Sequence, residues 1–553
     1  MSVAPSIPDA GQERAFDVVV VGAGFAGLYM LYRLRGLGFS VRVYEQGGGL
    51  GGTWYWNRYP GARCDIESMQ YSYSFSEELQ QEWNWSERYA SQPEILEYAN
   101  HVADRFDLRR DISLNTRVER AEFDEVTKTW NVAISDGRLV WAKFVVLATG
   151  CLSNARMPDI KGLSDFKGQV YHTGQWPHER VDFADKRVGV VGTGSSAIQL
   201  VPMIAGEARH LFVFQRTPNF SIPARNAALT DEAREAFRKN YPEIRRFARE
   251  DTRNGIYAEL PDRGVFDDGE NARCARYEDR WTKGGLGFLV TYNNLILDKA
   301  ANDTAADFVR GKIAEIVGDP GTAKRLQPES YPFGSKRLCV DTDYYATFNR
   351  PNVTLVDIRP IGIEEILTNA VRAGGQDYEI DALVLATGFD AMTGSVAKID
   401  ICGRGGITLN HKWAAGPKTY LGLMSEGFPN LFLITGPGSP SVLSNMIVSI
   451  EQHVDWIADC LTFMRDRGHA TIEATTEAEE KWVAHVNEVA NMTLYPQANS
   501  WYMGANIPGK PRIFMPYIGG VGAYRRICDE VAAKGYRGFA MMAGEVEPIA
   551  ATA

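Results

Sequence analysis

Three glycines near the start of the chain have the spacing of a phosphate-binding turn. Gly22, Gly24 and Gly27 follow an apolar run that predicts a strand, and a predicted helix follows them. Glycine lets the backbone turn tightly and leaves room for a pyrophosphate at the helix N-terminus. Glu45 ends the next predicted strand, where a carboxylate can accept hydrogen bonds from ribose hydroxyls and would repel an added phosphate. These residues predict a dinucleotide site.

The same pattern recurs later in the chain with one informative change. Gly192 and Gly194 occupy the first two glycine positions, and Ala197 occupies the third, which the motif tolerates. Arg216 stands where Glu45 stands in the first copy, and a guanidinium there suits the 2′-phosphate of NADP. The acid in the first copy and the arginine in the second predict FAD at the first site and NADPH at the second.

Two dinucleotides in one chain imply electron transfer, and the cysteines limit where the electrons go. Nicotinamide delivers hydride, and flavin passes the electrons on. Dithiol centres and zinc sites need closely spaced cysteine or histidine pairs, which the sequence lacks, so we expect no metal and no thiol acceptor. Dioxygen is the natural remaining acceptor. The cysteines are scattered and expected to be mostly buried, at Cys64, Cys151, Cys274, Cys339, Cys402, Cys460 and Cys528.

Each glycine motif needs a β-α-β unit to position it. Apolar periodicity predicts two such units, with elements over 16–21, 28–35, 40–45, 187–191, 198–204 and 211–214. Residues 144–150 closely match residues 382–388, and each segment is predicted to be a buried strand that ends in Thr-Gly. We interpret these two strands as the places where the chain crosses between dinucleotide domains.

The predicted fold class is α/β, with two Rossmann-like dinucleotide-binding domains, for FAD and for NADP, and a helical insertion. The insertion is indicated by a charged helical pattern, as in residues 231–239. Both dinucleotide domains are expected to be discontinuous. The expected limits are 14–150 and 386–545 for the FAD domain, 151–225 and 330–385 for the NADP domain, 226–329 for the insertion, and 546–553 for a disordered tail.

Composition excludes several classes of protein. The formal net charge is -10 and no long basic block occurs, so a nucleic-acid partner is not expected. No apolar run reaches the roughly 20 residues that span a bilayer, and residues 1–14 lack the apolar core of a signal peptide. We therefore expect a cytoplasmic protein without a membrane partner, and a monomer.

A motif between the two units carries a family resemblance. Residues 166–177, F-K-G-Q-V-Y-H-T-G-Q-W-P, resemble the F-x-G-x-x-x-H-x-x-x-W-P motif of the type I Baeyer–Villiger monooxygenases. Related flavin monooxygenases that act on nitrogen or sulfur usually carry Tyr or Phe at the position of Trp176. The resemblance covers nearly the whole chain and includes these further stretches: Gly51-Gly52-Thr53-Trp54, Tyr59-Pro60-Gly61, Asp65, Lys336-Arg337, Gly436-Pro437-Gly438 and Trp501-Tyr502.

The resemblance implies an activity and its catalytic residues. Members convert ketones to esters or lactones with NADPH and dioxygen, through a flavin peroxide that must stay deprotonated. An anion in a water-poor pocket needs a fixed cation. The resemblance assigns that role to Arg337 and gives Asp65 the role of holding the guanidinium in place.

Further roles follow from the same resemblance. Thr53 and Trp54 belong to the FAD site, while Lys336, Arg216 and Thr217 hold the NADP phosphate. Trp501 is expected to contact the cofactor ribose, and His172 and Trp176 are expected to position the domains. The expected substrate is a small-molecule ketone, contacted by Leu443, Ser444 and Met446.

Three alternatives stay open at this point. The first is a flavin monooxygenase that acts mainly on sulfur or nitrogen, against which Trp176 and Asp65 argue. The second is an NADPH oxidase or reductase without a ketone substrate. The third is a redox-sensing flavoprotein that binds partners and turns nothing over.

Overall fold

Two separate sheets with parallel cores organise the molecule, which the computed structural model describes over residues 14–544. The first sheet has eight strands. In spatial order they are Asp400–Cys402, Val118–Asp124, Thr129–Ile134, Leu139–Leu147, Arg14–Val21, Val41–Tyr44 and Ile112–Ser113, with Leu431–Leu433 beside Leu139–Leu147.

The second half of the strand Arg14–Val21 in the first sheet is apolar because both of its faces are covered. Val18 and Val20 pack with the helices Phe25–Gly36 and Met446–Arg467. Val19 belongs to the apolar cluster on the opposite face. All three valines are inaccessible to solvent, as expected for a parallel strand buried on two sides.

The second sheet has five strands, and every pairing in it is parallel. Its central strand is the one that leads into the second glycine turn, and the helix Ser195–Glu207 follows that turn. A strand at this position delivers its turn to the carboxyl edge of the sheet, where ligands bind in α/β folds. In spatial order the strands are Val353–Asp357, His210–Gln215, Arg187–Val191, Ala382–Leu385 and Gln169–His172.

A helical segment separates two short strands that pair in parallel, Ser221–Pro223 and Cys339–Asp341. The helix predicted over 231–239 is confirmed as Asp231–Lys239, which Thr230 caps. The α-helices between the two strands are Asp231–Lys239, Tyr241–Glu250, Glu270–Lys283, Lys299–Ile316 and Pro320–Leu326.

The remaining elements support the two sheets. A three-stranded antiparallel sheet joins Glu365–Ile366, Ala370–Ala373 and Gln376–Glu379, and a second pair joins His469–Ala474 and Phe539–Ala543. The other α-helices are Thr53–Trp56, Glu77–Glu82, Gln92–Arg105, Tyr344–Thr347, Leu409–Lys412, Thr476–Asn491 and Val521–Ala533.

The predicted fold class, α/β with two Rossmann-like units, is confirmed. The helices that follow the two glycine turns begin and end beyond their predicted limits, since apolar periodicity marks the buried middle of a helix better than its ends. The domain limits stay a prediction, and the tail expected over 546–553 lies outside the described residues. Among residues 14–544, none of the helices is long and apolar enough to cross a membrane.

Candidate active site

The first glycine turn requires glycine at two of its three positions. Gly22 has a φ of +104°, and a Cβ there would lie 2.7 Å from the carbonyl oxygen of Ala148. A Cβ on Gly27 would lie 1.9 Å from the carbonyl oxygen of Gly22. The strand and the helix therefore approach each other too closely for any side chain, which brings the helix N-terminus to the edge of the sheet.

The second turn repeats this geometry around a different cofactor position. Gly192 has a φ of +114°, and its Cβ would lie 2.5 Å from the carbonyl oxygen of Ala386. Gly194, at the N-cap of the helix Ser195–Glu207, has no neighbouring atom within 4 Å of a built Cβ. Packing does not require glycine at position 194, and the open space in front of it is where a pyrophosphate would approach.

Glu45 lies just beyond the strand Val41–Tyr44 and is buried. One carboxylate oxygen accepts from the amide of Ala23 at 2.8 Å, and the other accepts from the amide of Gly47 at 2.7 Å. Burial raises the pKa of Glu45, and the two backbone N–H groups act in the opposite direction. Its remaining lone pairs can accept hydrogen bonds from a ribose that lies along the turn.

One large cavity, of about 1360 Å³, runs between the two turns. A cleft this large can hold more than one bound molecule. The sequence-predicted residues that line it are Gly22, Gly24, Glu45, Thr53, Trp54, Asp65, Gly192, Gly194, Arg216, Thr217, Lys336, Arg337, Ser444, Met446 and Trp501. Those that do not line it are Gly27, Ala197, His172, Trp176 and Leu443.

An ion pair between Arg337 and Asp65 faces this cavity. The guanidinium donates from Nε to Oδ2 at 2.8 Å and from a terminal nitrogen to Oδ1 at 2.7 Å. Its other terminal nitrogen donates to the carbonyl oxygen of Val442 at 2.9 Å. Both side chains are about a quarter exposed, 25 % for Arg337 and 22 % for Asp65, and that exposure is toward the cavity they line.

The charge on Arg337 is secured by its surroundings. Burial alone would lower the pKa of this guanidinium, but the charge and hydrogen bonds of Asp65 outweigh burial and raise the pKa above its ordinary value. Arg337 therefore stays positive at every working pH, fixed at three of its donors.

Lys336, the neighbour of Arg337, lies close to Arg216 at the second turn. Burial and the nearby charge of Arg216 lower the pKa of Lys336 to about 8. The ammonium also lies over the ring of Tyr331, 4.5 Å from its centroid. Two cations that repel each other at the edge of a cavity have the arrangement expected of a phosphate site.

His172 ends an edge strand of the second sheet and is buried, so it is part of the sheet and does not lie in a free linker. Its Nδ1 accepts from the amide of Gly174 at 3.0 Å, which places the proton on Nε2. Nε2 lies 3.1 Å from the carbonyl oxygen of Arg156 and 3.2 Å from the hydroxyl of Thr387. Burial lowers the pKa of His172, so the ring is neutral, and it ties together the two segments, at Arg156 and Thr387, by which the chain crosses between sheets.

Trp176 connects the motif of residues 166–177 to the short helix Thr53–Trp56. Its amide donates to the carbonyl oxygen of Trp56 at 3.3 Å, and its buried indole packs beside Tyr171. Trp54, in the same helix, donates from Nε1 to the hydroxyl of Tyr71 at 3.2 Å. The two tryptophans thus fix one wall of the cavity to the second sheet.

The predicted substrate segment precedes the long helix Met446–Arg467. Ser444 and Met446 line the cavity, whereas Leu443 packs into an apolar cluster with Trp501. The assignment of Leu443 stays a prediction. Trp501 lines the cavity and contacts the ring of Tyr502, with centroids 4.2 Å apart.

Sequence reasoning missed His453, which supports the cavity from behind. Its Nδ1 accepts from the amide of Thr435 at 2.8 Å, and its Nε2 lies 3.0 Å from the hydroxyl of Tyr524. Burial and the charge of Arg525 lower the pKa of His453 to about 3, so it is neutral. Thr435 has a φ of +57° and lines the cavity. A lone histidine in an apolar helix carries no sequence pattern that would have identified it.

Two dinucleotide turns that open on one cavity define a flavin- and nicotinamide-dependent oxidoreductase. Residues 19–226 match a family model described as pyridine nucleotide-disulphide oxidoreductase. The seven cysteines, all within residues 14–544, are unpaired, so a cysteine pair beside a flavin is lacking here. Within the same residues no group of His, Cys, Asp and Glu is arranged to hold a metal ion.

Comparison with known proteins defines the family more closely. A Baeyer-Villiger monooxygenase from Pseudooceanicola batsensis is 43 % identical over 532 residues, which cover 94 % of this chain and 95 % of that protein. The phenazine N-monooxygenase PhzNO1 from Lysobacter antibioticus is 41 % identical over 531 residues, covering 95 % and 96 %. The solved structure of oxidized steroid monooxygenase bound to NADP is 52 % identical, with a TM-score of 0.92, and covers 96 % of this chain and 100 % of that chain.

These similarities extend over nearly the whole of both chains, and the chain belongs to the type I Baeyer–Villiger monooxygenase family. It uses FAD and NADPH as its cofactors. It is an oxidoreductase that inserts an oxygen atom into ketones, as predicted from the motif of residues 166–177.

Proposed function

We propose that this enzyme converts ketones to esters or lactones at the Arg337–Asp65 pair, between an FAD at the first turn and an NADPH at the second. The observation that carries the proposal is the two-point ion pair facing the cavity that both turns line. The two residues lie far apart in the sequence, and their side chains meet only at this point of the fold.

The residues present fit both cofactors. The turn at Gly22 leaves no room for a side chain. Glu45 can accept hydrogen bonds from a ribose and would repel an extra phosphate. Lys336 and Arg216 would hold the 2′-phosphate of NADP, with Thr217 beside them. When bound, reduced FAD supplies the activation of dioxygen, and NADPH supplies the electrons.

Arg337 would act on charge that develops during oxygen insertion. Nucleophilic attack on a ketone makes its carbonyl oxygen negative, and a fixed guanidinium nearby stabilises that charge in a water-poor pocket. Asp65 fixes the plane of the guanidinium through two hydrogen bonds, so that its remaining open face is presented to the cavity. We assign Arg337 as the catalytic residue and Asp65 as the residue that positions it.

The substrate would contact the segment that also supports Arg337. The carbonyl oxygen of Val442 accepts from Arg337, and Ser444 and Met446 line the cavity just beyond it. A serine and a methionine offer one polar contact and an adaptable apolar surface, which suits a ketone with an apolar body. We also propose a monomeric, cytoplasmic protein, since seven unpaired cysteines fit a reducing compartment.

A second candidate activity is oxygenation of nitrogen or sulfur, because the relative named phenazine N-monooxygenase is 41 % identical. Trp176 and Asp65, which belong to the motifs shared with the ketone-oxidising family, argue against this as the main activity.

A single assay distinguishes the two candidate activities. Purified enzyme with NADPH and air is given cyclic, linear and aromatic ketones, and a thioether and an aromatic amine in parallel. We expect NADPH consumption to rise on addition of ketone, with a product that is one oxygen atom heavier. Larger kcat/KM values for the thioether or amine than for every ketone would favour the second candidate. A rate of NADPH consumption that no added substrate changes would indicate an oxidase or a redox sensor.

A further inference from the structure

A second, smaller cavity of about 350 Å³ adjoins the proposed reaction centre. It lies between the helical insertion and the segments that follow Asp65 and surround Tyr89. Asp65 and Ile66 line both this cavity and the large one, so the two cavities adjoin each other beside the Arg337–Asp65 pair.

The lining of the second cavity changes from buried to exposed along its length. At the end that meets the large cavity, Ile66 is 4 % exposed and Tyr89 is 2 % exposed. At the other end, Tyr257 is 45 % exposed, and the side chains of Glu259 and Lys283 are largely in solvent. The cavity therefore runs from the protein surface toward the reaction centre.

The lining of the large cavity includes both glycine turns and the phosphate cluster of Lys336 and Arg216, so both dinucleotides are expected to lie in it. Bound dinucleotides would occupy much of this cavity and leave less of it open to a ketone. The second cavity reaches Asp65 from the side of the helical insertion, away from both turns.

The chemistry of the second cavity suits a neutral ligand. Its apolar lining comes from Ile66, Ile256 and Leu286. The charged groups at its outer part are matched, because Arg88 pairs with Glu67 at 2.7 Å and Arg280 pairs with Glu259 at 2.9 Å. Lys283 likewise pairs with Asp279 at 2.7 Å. Matched charges around an apolar interior offer little to an ionic ligand and admit a ketone with an apolar body.

The walls of this cavity are held together by polar contacts between the insertion and the rest of the chain. The amide of Tyr257 donates to the side-chain oxygen of Gln70 at 2.7 Å, and Gln70 donates back to the carbonyl oxygen of Tyr257 at 3.3 Å. Arg88 donates to the carbonyl oxygen of Lys283 at 2.7 Å. The opening is therefore a fixed feature of the interface.

We propose that the ketone reaches the reaction centre, and the ester leaves it, through this second cavity under the helical insertion. The inference rests on the proposed role of the Arg337–Asp65 pair. It assigns to the insertion a function in substrate access and in selection by size, with the buried Ile66, which lines both cavities, as the residue between them.

Gly287 gives a direct way to block this route. It lines the second cavity, and a Cβ built on it meets no atom within 4 Å, so a phenylalanine there projects into open space. Gly311, in the exposed part of the helix Lys299–Ile316, also meets no atom within 4 Å and lies outside both cavities. Gly311→Phe is therefore a matched control in the same insertion.

We expect Gly287→Phe to lower kcat/KM for a bulky aryl ketone about tenfold, within the range over which association rates vary among variants. Acetone should lose less, and anaerobic reduction of the flavin by NADPH should keep its rate. Gly311→Phe should match the wild type for both ketones. Equal kcat/KM values in Gly287→Phe and Gly311→Phe for both ketones would overturn the route, as would a loss in Gly287→Phe that is independent of ketone size.

A second variant covers the case in which Gly287→Phe does not hold FAD. Ala258 also lines this cavity, and Ala258→Phe should show the same dependence on ketone size. Ester formation by Arg337→Ala at the wild-type rate would instead overturn the proposed reaction centre. The two failures are distinguishable, because blocking the route leaves turnover of small ketones, whereas loss of the reaction centre removes every ester.

Discussion

At the scale of single residues, the site depends on two neighbours in the sequence with opposite electrostatic situations. Arg337 is paired with Asp65 and stays charged, whereas burial and the nearby charge of Arg216 lower the pKa of the Lys336 ammonium to about 8. The first arrangement fixes a permanent positive charge at the proposed site of oxygen insertion. The second gives an ammonium whose positive charge is fully stabilised only when an anion binds beside it.

The role of Arg337 is tested by Arg337→Ala. We expect ester formation to fall by about 100-fold or more, the effect of removing one preorganised electrostatic contact, while flavin reduction by NADPH continues. Stopped-flow reduction and product analysis measure the two steps separately. Arg404→Ala is the control, because Arg404 forms a similarly buried ion pair with Glu473 outside the cavity. Ester yields equal to wild type in Arg337→Ala would remove Arg337 from the mechanism.

Lys336 predicts a pH dependence of coenzyme binding. Its ammonium is charged below pH 8 and loses its proton as the pH rises through about 8, so affinity for the 2′-phosphate falls in that direction. We expect KM for NADPH to rise about tenfold, since a hydrogen bond to a charged group contributes about 1.5 kcal/mol or more. KM for NADH should stay flat. Initial rates from pH 6.5 to 9.5, an interval of about 1.5 units on either side of pH 8, measure both constants.

Arg216→Ala provides the complementary variant. It should raise KM for NADPH far more than KM for NADH, because one phosphate contact is lost. It should also move the inflection of the NADPH profile to higher pH, since the neighbouring charge that lowers the pKa of Lys336 is gone. An unchanged coenzyme preference would place the phosphate elsewhere.

At the scale of elements, the glycines of the two turns differ in whether packing requires them. Gly22 and Gly192 have positive φ angles and backbone neighbours within 2.7 Å of a built Cβ, so packing demands glycine there. Gly194 has neither constraint. Packing therefore does not require glycine at position 194, and we propose that the ligand does.

Gly194→Ala separates these two reasons. We expect normal FAD content and a thermal midpoint close to that of wild type, because the added methyl group meets no protein atom. KM for NADPH should rise roughly tenfold, since the methyl group occupies the approach of the pyrophosphate, a loss of about 1.4 kcal/mol. Gly192→Ala should instead lower the midpoint. Unchanged KM in Gly194→Ala would show that the pyrophosphate binds away from this turn.

At the scale of the whole molecule, two sheets are joined by strands that cross between them, and one cavity spans the junction. His172 holds both crossing segments, through the carbonyl oxygen of Arg156 and the hydroxyl of Thr387. A ligand that binds across such a junction stabilises both parts together, because it binds only the folded arrangement.

Removal of FAD should therefore lower the stability of the entire chain. We expect the thermal midpoint to fall on removal, to recover on re-addition, and to rise again with NADP⁺ in the FAD-loaded enzyme. At a ligand concentration of about 100 times Kd the added stability is roughly 2.7 kcal/mol. Scanning fluorimetry measures each step. A thermal midpoint that does not change on removal of FAD would show that the cofactor binds outside the junction of the two sheets.

Much of the fold followed from local pattern. The strand Arg187–Val191 and the helix Asp231–Lys239 have the limits that periodicity predicted, because their apolar and charged residues recur with the period of the element. The helix Phe25–Gly36 begins three residues before its predicted start, since glycine at the turn gives no apolar signal there. Leu443, which is predicted to contact the substrate, packs into a cluster with Trp501, and its role stays a prediction.

The sequence by itself predicted the two dinucleotide units, the cofactors FAD and NADPH, and the family, because glycine spacing and the residue after the second strand are local features. Only the tertiary structure decided that Arg337 meets Asp65, that Lys336 meets Arg216, and that a second cavity opens beside them. Contacts between residues far apart in the chain depend on how whole elements pack, and no local pattern encodes that packing.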